Sequence, residues 1–223
     1  MSDVESPLLP APLLPAPDPG PGAPGRKRPK PGERRVQILQ TLATMLEQPG
    51  LERITTAALA ARLEVSEAAL YRHFASKAQM FEGLLEFIEQ TVFSLVNQIT
   101  TRTDTEADAA AGPRQAGQVV AMLMQFAEKN PGMARVMVGD ALVFENERLQ
   151  QRMNQFFDKI EATFRQTLRG VAQASGSTTP SVDTRVHAAV LTAFVVGRLQ
   201  RFTRSSFKHL PSEHLDACLL HLL

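Results

Sequence analysis

From residue 33 onward apolar positions return every three or four residues, the spacing that lines one face of an α-helix. No stretch of useful length alternates as a half-buried strand does. Val36, Leu39, Leu42, Ala43 and Leu46 predict a first helix that stops at Pro49-Gly50. Thr55 and Thr56 offer hydroxyl caps to a second, short helix over 57–63, whose apolar face is Leu59, Ala60 and Leu63. Glu64-Val65 is a break of two residues. Ser66 then caps a third helix reaching about residue 74, with Glu67 in the first turn, where the helix dipole favours an anion. Ser76-Lys77-Ala78-Gln79 has the spacing of a capping box and opens a fourth helix that runs to about residue 99.

Residues 101–113, with Thr, Asp, Ala and Gly-Pro, predict a loop before a fifth helix over 114–129. Asn130-Pro131-Gly132 stops that helix, and a short helical turn over 133–138 leads into a long segment, 141–174. There Leu149, Met153, Phe156, Ile160, Phe164 and Leu168 form a sustained apolar stripe. A Ser, Thr and Gly stretch ending at Pro180 breaks it. The helix over 182–206 is rich in small and apolar residues (Ala188, Ala189, Val190, Ala193, Val195, Val196, Gly197), and a short amphipathic helix over 212–222 follows. The fold class is all-α: a three-helix unit over 33–78 and a second helical domain over 79–223.

The first 32 residues hold ten of the fifteen prolines and are expected to be a disordered arm, because proline removes amide donors and fixes φ. The net charge of +1 conceals an asymmetry. Six basic residues and one acid between Arg26 and Arg35 give +5 there and leave −4 for the rest, so attraction to a polyanion is local to this end. The start of the chain lacks the basic and apolar runs of a secretory signal, and no window is apolar enough to span a bilayer. Cys218 is the one cysteine, so internal disulfides and thiolate clusters are excluded; a cytoplasmic protein is expected. There is no nucleophile elbow, phosphate-cradling Gly loop or metal-spaced His and Cys set, and His209, His214 and His221 lack helical ligand spacing. Neither enzymatic activity, a metal nor a cofactor is expected.

Two short helices joined by a tight turn, following a longer one, suit the helix-turn-helix arrangement in which the last helix enters the DNA major groove. In Ser66-Glu67-Ala68-Ala69-Leu70-Tyr71-Arg72-His73-Phe74, Leu70 and Phe74 are four apart and should face the core. Ala68, Ala69, Arg72 and His73 then face away. Small side chains let the helix approach base edges, and Arg72 can reach guanine or a phosphate. Tyr71, Ser66, Thr55, Thr56 and Lys77 supply hydroxyls and positive charge suited to backbone phosphates. On spacing alone, an Ala-rich helical bundle that never meets DNA remains an equal reading.

The run Ile54-Thr55-Thr56-Ala57-Ala58-Leu59-Ala60, then Val65 to Phe74 and Ser76-Lys77, resembles the DNA-binding signature of the TetR family. That resemblance implies a homodimer on a palindromic double-stranded site and a C-terminal helical domain that supplies the dimer interface. Segments outside the DNA unit, including Leu85-Glu86-Phe87-Ile88-Glu89, Glu128-Lys129-Asn130-Pro131-Gly132 and Arg201 to Lys208, are similar to the nucleoid-occlusion branch of the family. Members of that branch capture the C-terminal tail of FtsZ when bound to DNA and block division over the chromosome. On the fourth helix Phe81, Leu85, Ile88, Val92 and Ile99 lie within about 40° of one direction, whereas Phe87 points roughly 120° away. Phe87 covers another helix or lines a peptide groove, and the resemblance favours the groove, with Met122, Lys129 and Asn130. Leu95 stands where such a groove would carry a basic residue. The alternative is a ligand-responsive TetR-type repressor, for which Arg185, His187 and Gln125 are the available polar groups.

Overall fold

The computed structural model describes residues 32–48, 54–101, 111–143, 145–174, 176 and 178–223. All regular structure among them is helical. The expected Pro-rich arm, apart from Gly32, lies outside the described residues, as does most of the expected loop over 101–113. The chain forms α1 (Glu33–Leu46), α2 (Thr56–Arg62), α3 (Glu67–Tyr71), α4 (Lys77–Thr101), α5 (Ala111–Lys129), α6 (Pro131–Met137), α7 (Glu147–Ala174), α8 (Pro180–Arg204) and α9 (Leu215–Leu222). The expected boundary at 78 falls inside α4. The first turns of this helix pack on α1 and its later turns on α5 and α7, so one hydrophobic core runs through both halves.

The differences from the sequence pattern have local causes. α5 spans Ala111–Lys129 and so already includes Gly112 and Pro113, which the expected helix over 114–129 leaves outside. Gly112 then lets α5 touch α7: a Cβ there would lie 2.3 Å from the Thr167 carbonyl oxygen. α7 starts at Glu147, not near residue 141. Leu142 is seven residues before Leu149 and in phase with the stripe, but Gly139 adopts φ +84° and residues 140–142 form a 3-10 turn. The Asn146 side chain accepts from the Arg148 N–H at 3.0 Å and helps restart the helix. α3 ends at Tyr71 rather than near 74, although Leu70 and Phe74 are both buried as their spacing requires.

The stripe from Leu149 to Leu168 is buried along its whole length, with Phe93 of α4 tilted against Phe156 at 5.3 Å. α8 is apolar on two sides. Ala188, Leu191, Val195, Leu199 and Phe202 face the core, while Val182, Val186 and Val190 are 50%, 55% and 45% exposed. Ala189, Ala193 and Gly197 are exposed as well. A subunit core would need only the first set.

The three-helix unit is held on the body by α1 against α6. A Cβ on Gly132 would lie 2.0 Å from the Ala43 carbonyl oxygen, so only glycine permits this approach. Gly132 does not act as a left-handed helix stop: it lies inside α6, and its role is closeness. Beside it Arg135 donates to the Gln48 carbonyl at 3.3 Å and stacks over Phe207, at 5.2 Å, beyond the end of α8. Glu47 sits in the same seam. Burial pushes its carboxyl above the ordinary range, and the backbone amide of Gly132 offsets this in part.

Gly132→Ala is expected to destabilise the chain by about 1–3 kcal/mol through overpacking. Gly170→Ala, in α7 with nothing within 4 Å, should stabilise it by about 0.5–1 kcal/mol through reduced unfolded-state entropy. Urea unfolding of the two variants distinguishes a space requirement from a general glycine effect. A carboxyl with a raised folded pKa binds its proton more tightly in the folded state. Its contribution to stability is therefore present at low pH and lost as pH rises from the ordinary carboxylate range through the raised value. Glu47→Gln should accordingly raise the melting temperature at neutral pH and flatten the pH dependence just above that range.

Candidate nucleic-acid interface

The turn joining α2 to α3 is built by backbone bonds that end α2. The Val65 N–H donates to the Ala60 carbonyl at 3.0 Å and the Glu64 N–H to the Ala61 carbonyl at 3.1 Å, the paired bonds of a Schellman motif. The residue between, Glu64, takes φ +53°, where glycine is the usual occupant. Val65 tucks against the core and sets the angle at which α3 leaves. Each helix then starts on a hydroxyl cap: Thr55 accepts from the Ala58 N–H at 3.1 Å, and Ser66 from the Ala69 N–H at 3.3 Å. The Thr56 hydroxyl donates to the Glu67 carboxylate at 2.6 Å and ties α2 to α3. Of the expected phosphate contacts, Thr55 and Ser66 are exposed caps, while Thr56 is half-buried and already engaged.

Leu70 of α3 is buried; Ala68 and Tyr71 of α3, and Arg72 and His73 just past its end, are exposed, with Ala69 half-buried. This places small side chains toward the start of the outer surface and the long polar ones toward its end. A helix carrying them can lie deep in a groove at its start and reach outward at its end. The end of α3 is clamped by the last residue of the basic run at 26–35. Arg35 of α1 donates to the His73 carbonyl at 3.0 Å and stacks over the Phe74 ring at 4.1 Å. Thirty-eight residues separate the partners, so no local pattern could reveal the contact.

α4 opens with a close relative of the expected capping box. Ser76 accepts from the Gln79 N–H at 3.2 Å, and the Gln79 side chain accepts from the Ala75 N–H at 2.8 Å, one residue before the cap. Lys77, expected to meet a phosphate, is half-buried: its ammonium pairs with Glu145 and lies 5.7 Å over the Phe81 ring. Farther along α4, Glu89 receives two bonds from Arg152 of α7, at 3.0 and 2.7 Å. The bond to Glu89, with smaller help from Glu86 and Glu82, keeps the guanidinium pKa above its ordinary value despite partial burial.

The expected peptide-groove residues belong to two helices that pack on each other, Phe87 to α4 and Met122 and Lys129 to α5, with Asn130 just past the end of α5. Arg152 and Phe156 place α7 against the Glu89 and Phe93 side of α4; Phe87 lies on another flank, half-buried against the core. On α5, Gly117 meets the C-terminal helix and Glu128 accepts from the Ser212 N–H and hydroxyl. Helical geometry sets Met122 and Lys129 about 100–140° away from that side, while Gln125, three residues before Glu128, shares it. Lys129 is exposed, Met122 is 5% exposed and so is floor rather than rim, and Asn130 donates to the Phe126 carbonyl at 2.9 Å. The polar groups of the ligand-responsive alternative do not converge. Arg185 lines a cleft of about 760 Å³ on the outer side of α7 and α8, together with Arg165 and Arg169, but neither His187 nor Gln125 reaches it. Among the described residues no group of three or more His, Cys, Asp or Glu could hold a metal, and no helix is long and apolar enough to cross a membrane.

Residues 38–84 match the family described as bacterial regulatory proteins, tetR family, and residues 115–222 match the SlmA-like form of the tetracyclin repressor-like C-terminal domain. Relatives similar over most of the chain are named nucleoid occlusion factor SlmA. The one from Vibrio cholerae is 51% identical over 82% of this chain and 90% of its own length. The chain belongs to the SlmA family. A SlmA from Aliivibrio fischeri is 49% identical over 84% of this chain and 93% of its own. More distant folds agree in architecture. The TetR family transcriptional regulator PfmR from Thermus thermophilus superposes with a TM-score of 0.66 at 18% identity, covering 84% of this chain and 97% of its own. The fatty acid degradation regulator FadR from Bacillus halodurans gives 0.64 at 14%, covering 89% and 97%. The SlmA relationship thus extends through α4, α5 and the C-terminal helices as well as the helix-turn-helix.

Arg35→Gln removes the clamp on α3 while leaving both core side chains in place. It should cost about 1–2 kcal/mol, the worth of an exposed cation–aromatic contact and a charged hydrogen bond. Faster amide hydrogen exchange is expected at residues 71–75, with little change on α7.

Proposed function

We propose that the chain is a homodimeric, sequence-specific DNA-binding division inhibitor. Bound to palindromic chromosomal sites, it captures the C-terminal tail of FtsZ and antagonises FtsZ polymers, which blocks septum formation over the chromosome. It acts as a cytoplasmic, nucleoid-associated adaptor with no catalytic step. The observation that carries this reading is the outward surface of α3 in a chain whose SlmA likeness runs through both halves.

In this reading Ala68 and Ala69 bring α3 close to base edges, Arg72 reads guanine or a phosphate, and His73 and Tyr71 meet the flanking backbone. Thr55, Thr56, Ser66 and Lys77 hold phosphates at the starts of α2, α3 and α4, where free amides and the helix dipole favour anions. The second subunit covers the exposed valine face of α8 and completes a four-helix bundle with α7. The tail peptide lies along the seam of α4 and α5. Phe87 gives it an apolar wall, Met122 a floor and Lys129 a partner for an acidic residue; Asn130, with one amide hydrogen committed to Phe126, still offers an acceptor to extended backbone.

Sedimentation of FtsZ with GTP tests the reading. Pelleted polymer should fall when the chain and its selected duplex are both present, and much less with either alone; an unchanged pellet rejects it. Phe87→Ala and Lys129→Glu should restore polymer while leaving duplex affinity intact. Arg72→Ala should cost about 1–3 kcal/mol in binding and relax preference at one base position, as read by a competition titration.

A further inference from the structure

We propose that Glu145 is a positioning residue for the DNA contact. It holds the Lys77 ammonium against the body in the free protein, and the lysine exchanges this carboxylate for a phosphate oxygen when duplex binds. The inference rests on the DNA-binding reading above and adds to it a residue sixty-eight positions away, outside the helix-turn-helix.

Three observations support it. Lys77 is the first residue of α4, next to the Ser76 cap, a place where a cation and free amides suit a phosphate. The Lys77 ammonium is held from two sides, by the Phe81 ring one turn along α4 at 5.7 Å and by the Glu145 carboxylate from outside the helix. Both side chains are largely covered, at 20% and 10% exposure, so the pair is not a loose surface contact.

The exchange has a physical consequence. A carboxylate left 10% exposed without its cation is costly, so Glu145 must turn toward water when the lysine leaves. Glu145 lies between the 3-10 turn at 140–142 and α7, where the Gln150 side chain donates to the Leu142 carbonyl at 3.2 Å. Part of the energy of duplex binding is therefore consumed in leaving Glu145 without its cation. Removing the negative charge removes that cost.

Fluorescence anisotropy across a salt series, with a random-sequence duplex and the full chain, tests the exchange, because a phosphate contact needs no base sequence. Glu145→Gln should bind about tenfold tighter than wild type, equivalent to about 1.4 kcal/mol. Lys77→Gln should bind more weakly, with a salt slope smaller by about 0.9. In the Lys77→Gln background, Glu145→Gln should give no gain. Glu145→Asp, which keeps the charge and shortens its reach, should give a smaller gain in the same direction and serves if the glutamine variant does not fold. A merely structural pair predicts the reverse, with weaker binding in both Glu145 variants. Equal or weaker binding, or the same gain without Lys77, overturns the proposal. If wild type binds no duplex at all, the DNA reading falls and this inference falls with it.

Discussion

The fold depends on two backbones coming within van der Waals contact where α1 crosses α6. With the Ala43 carbonyl facing Gly132, any side chain there would enter the space already held by an oxygen. The same seam carries Glu47, whose carboxyl is pushed up by burial, and Arg135, which bridges the end of α1 to Phe207 beyond α8. A helix of seven residues thus orients the whole three-helix unit. The long α4 fastens the other side, giving its first turns to the small unit and the rest to the body. Because the contact is backbone against backbone, it has few rotamers through which to yield.

The helix-turn-helix was legible in the sequence because its determinants are local. Hydroxyl caps at Thr55, Ser66 and Ser76, and an apolar pair at Leu70 and Phe74, are read within a few residues of the helices they shape. The same locality explains the errors. A start near 141 misses the 3-10 turn that follows the left-handed Gly139 and delays α7 to Glu147, and Pro113 reads as a boundary although α5 includes it. Asn130-Pro131-Gly132 was recognised as a stop, but the reason for its glycine lies on another helix. Arg35 on His73 and Lys77 on Glu145 could not be seen at all, since each joins residues far apart along the chain. Spacing showed that Phe87 was off the main stripe; it could not show that Met122 sits beneath the surface or that Asn130 spends a hydrogen on the end of α5.

α8 illustrates how one helix can satisfy two requirements. Its leucines and Phe202 complete the subunit core, and its valines, alanines and Gly197 present a flat apolar side with little to lose in side-chain entropy on burial. The sequence pattern alone did not separate these sides, because a helix apolar nearly all round has no strong direction. Exposure in the single chain separates them. In the dimer proposed above, the outer side is the fixed plane from which both recognition helices are measured.

That geometry explains why the α1 and α6 seam tolerates so little. On the palindromic site proposed above, two half-sites would lie about 34 Å apart along the duplex, and each recognition helix must arrive within hydrogen-bond tolerance of its bases. A rocking of about 10° at the seam, carried over the roughly 12 Å of α1 between Ala43 and Arg35, would displace the end of α3 by about 2 Å, more than the distance over which a hydrogen bond survives. Flexible side chains at the seam would allow that motion; a glycine against a carbonyl, with Arg135 across its flank, does not. In the proposed complex the close packing at Gly132 is thus a condition for reading DNA, although no residue of the seam belongs to the candidate DNA surface itself.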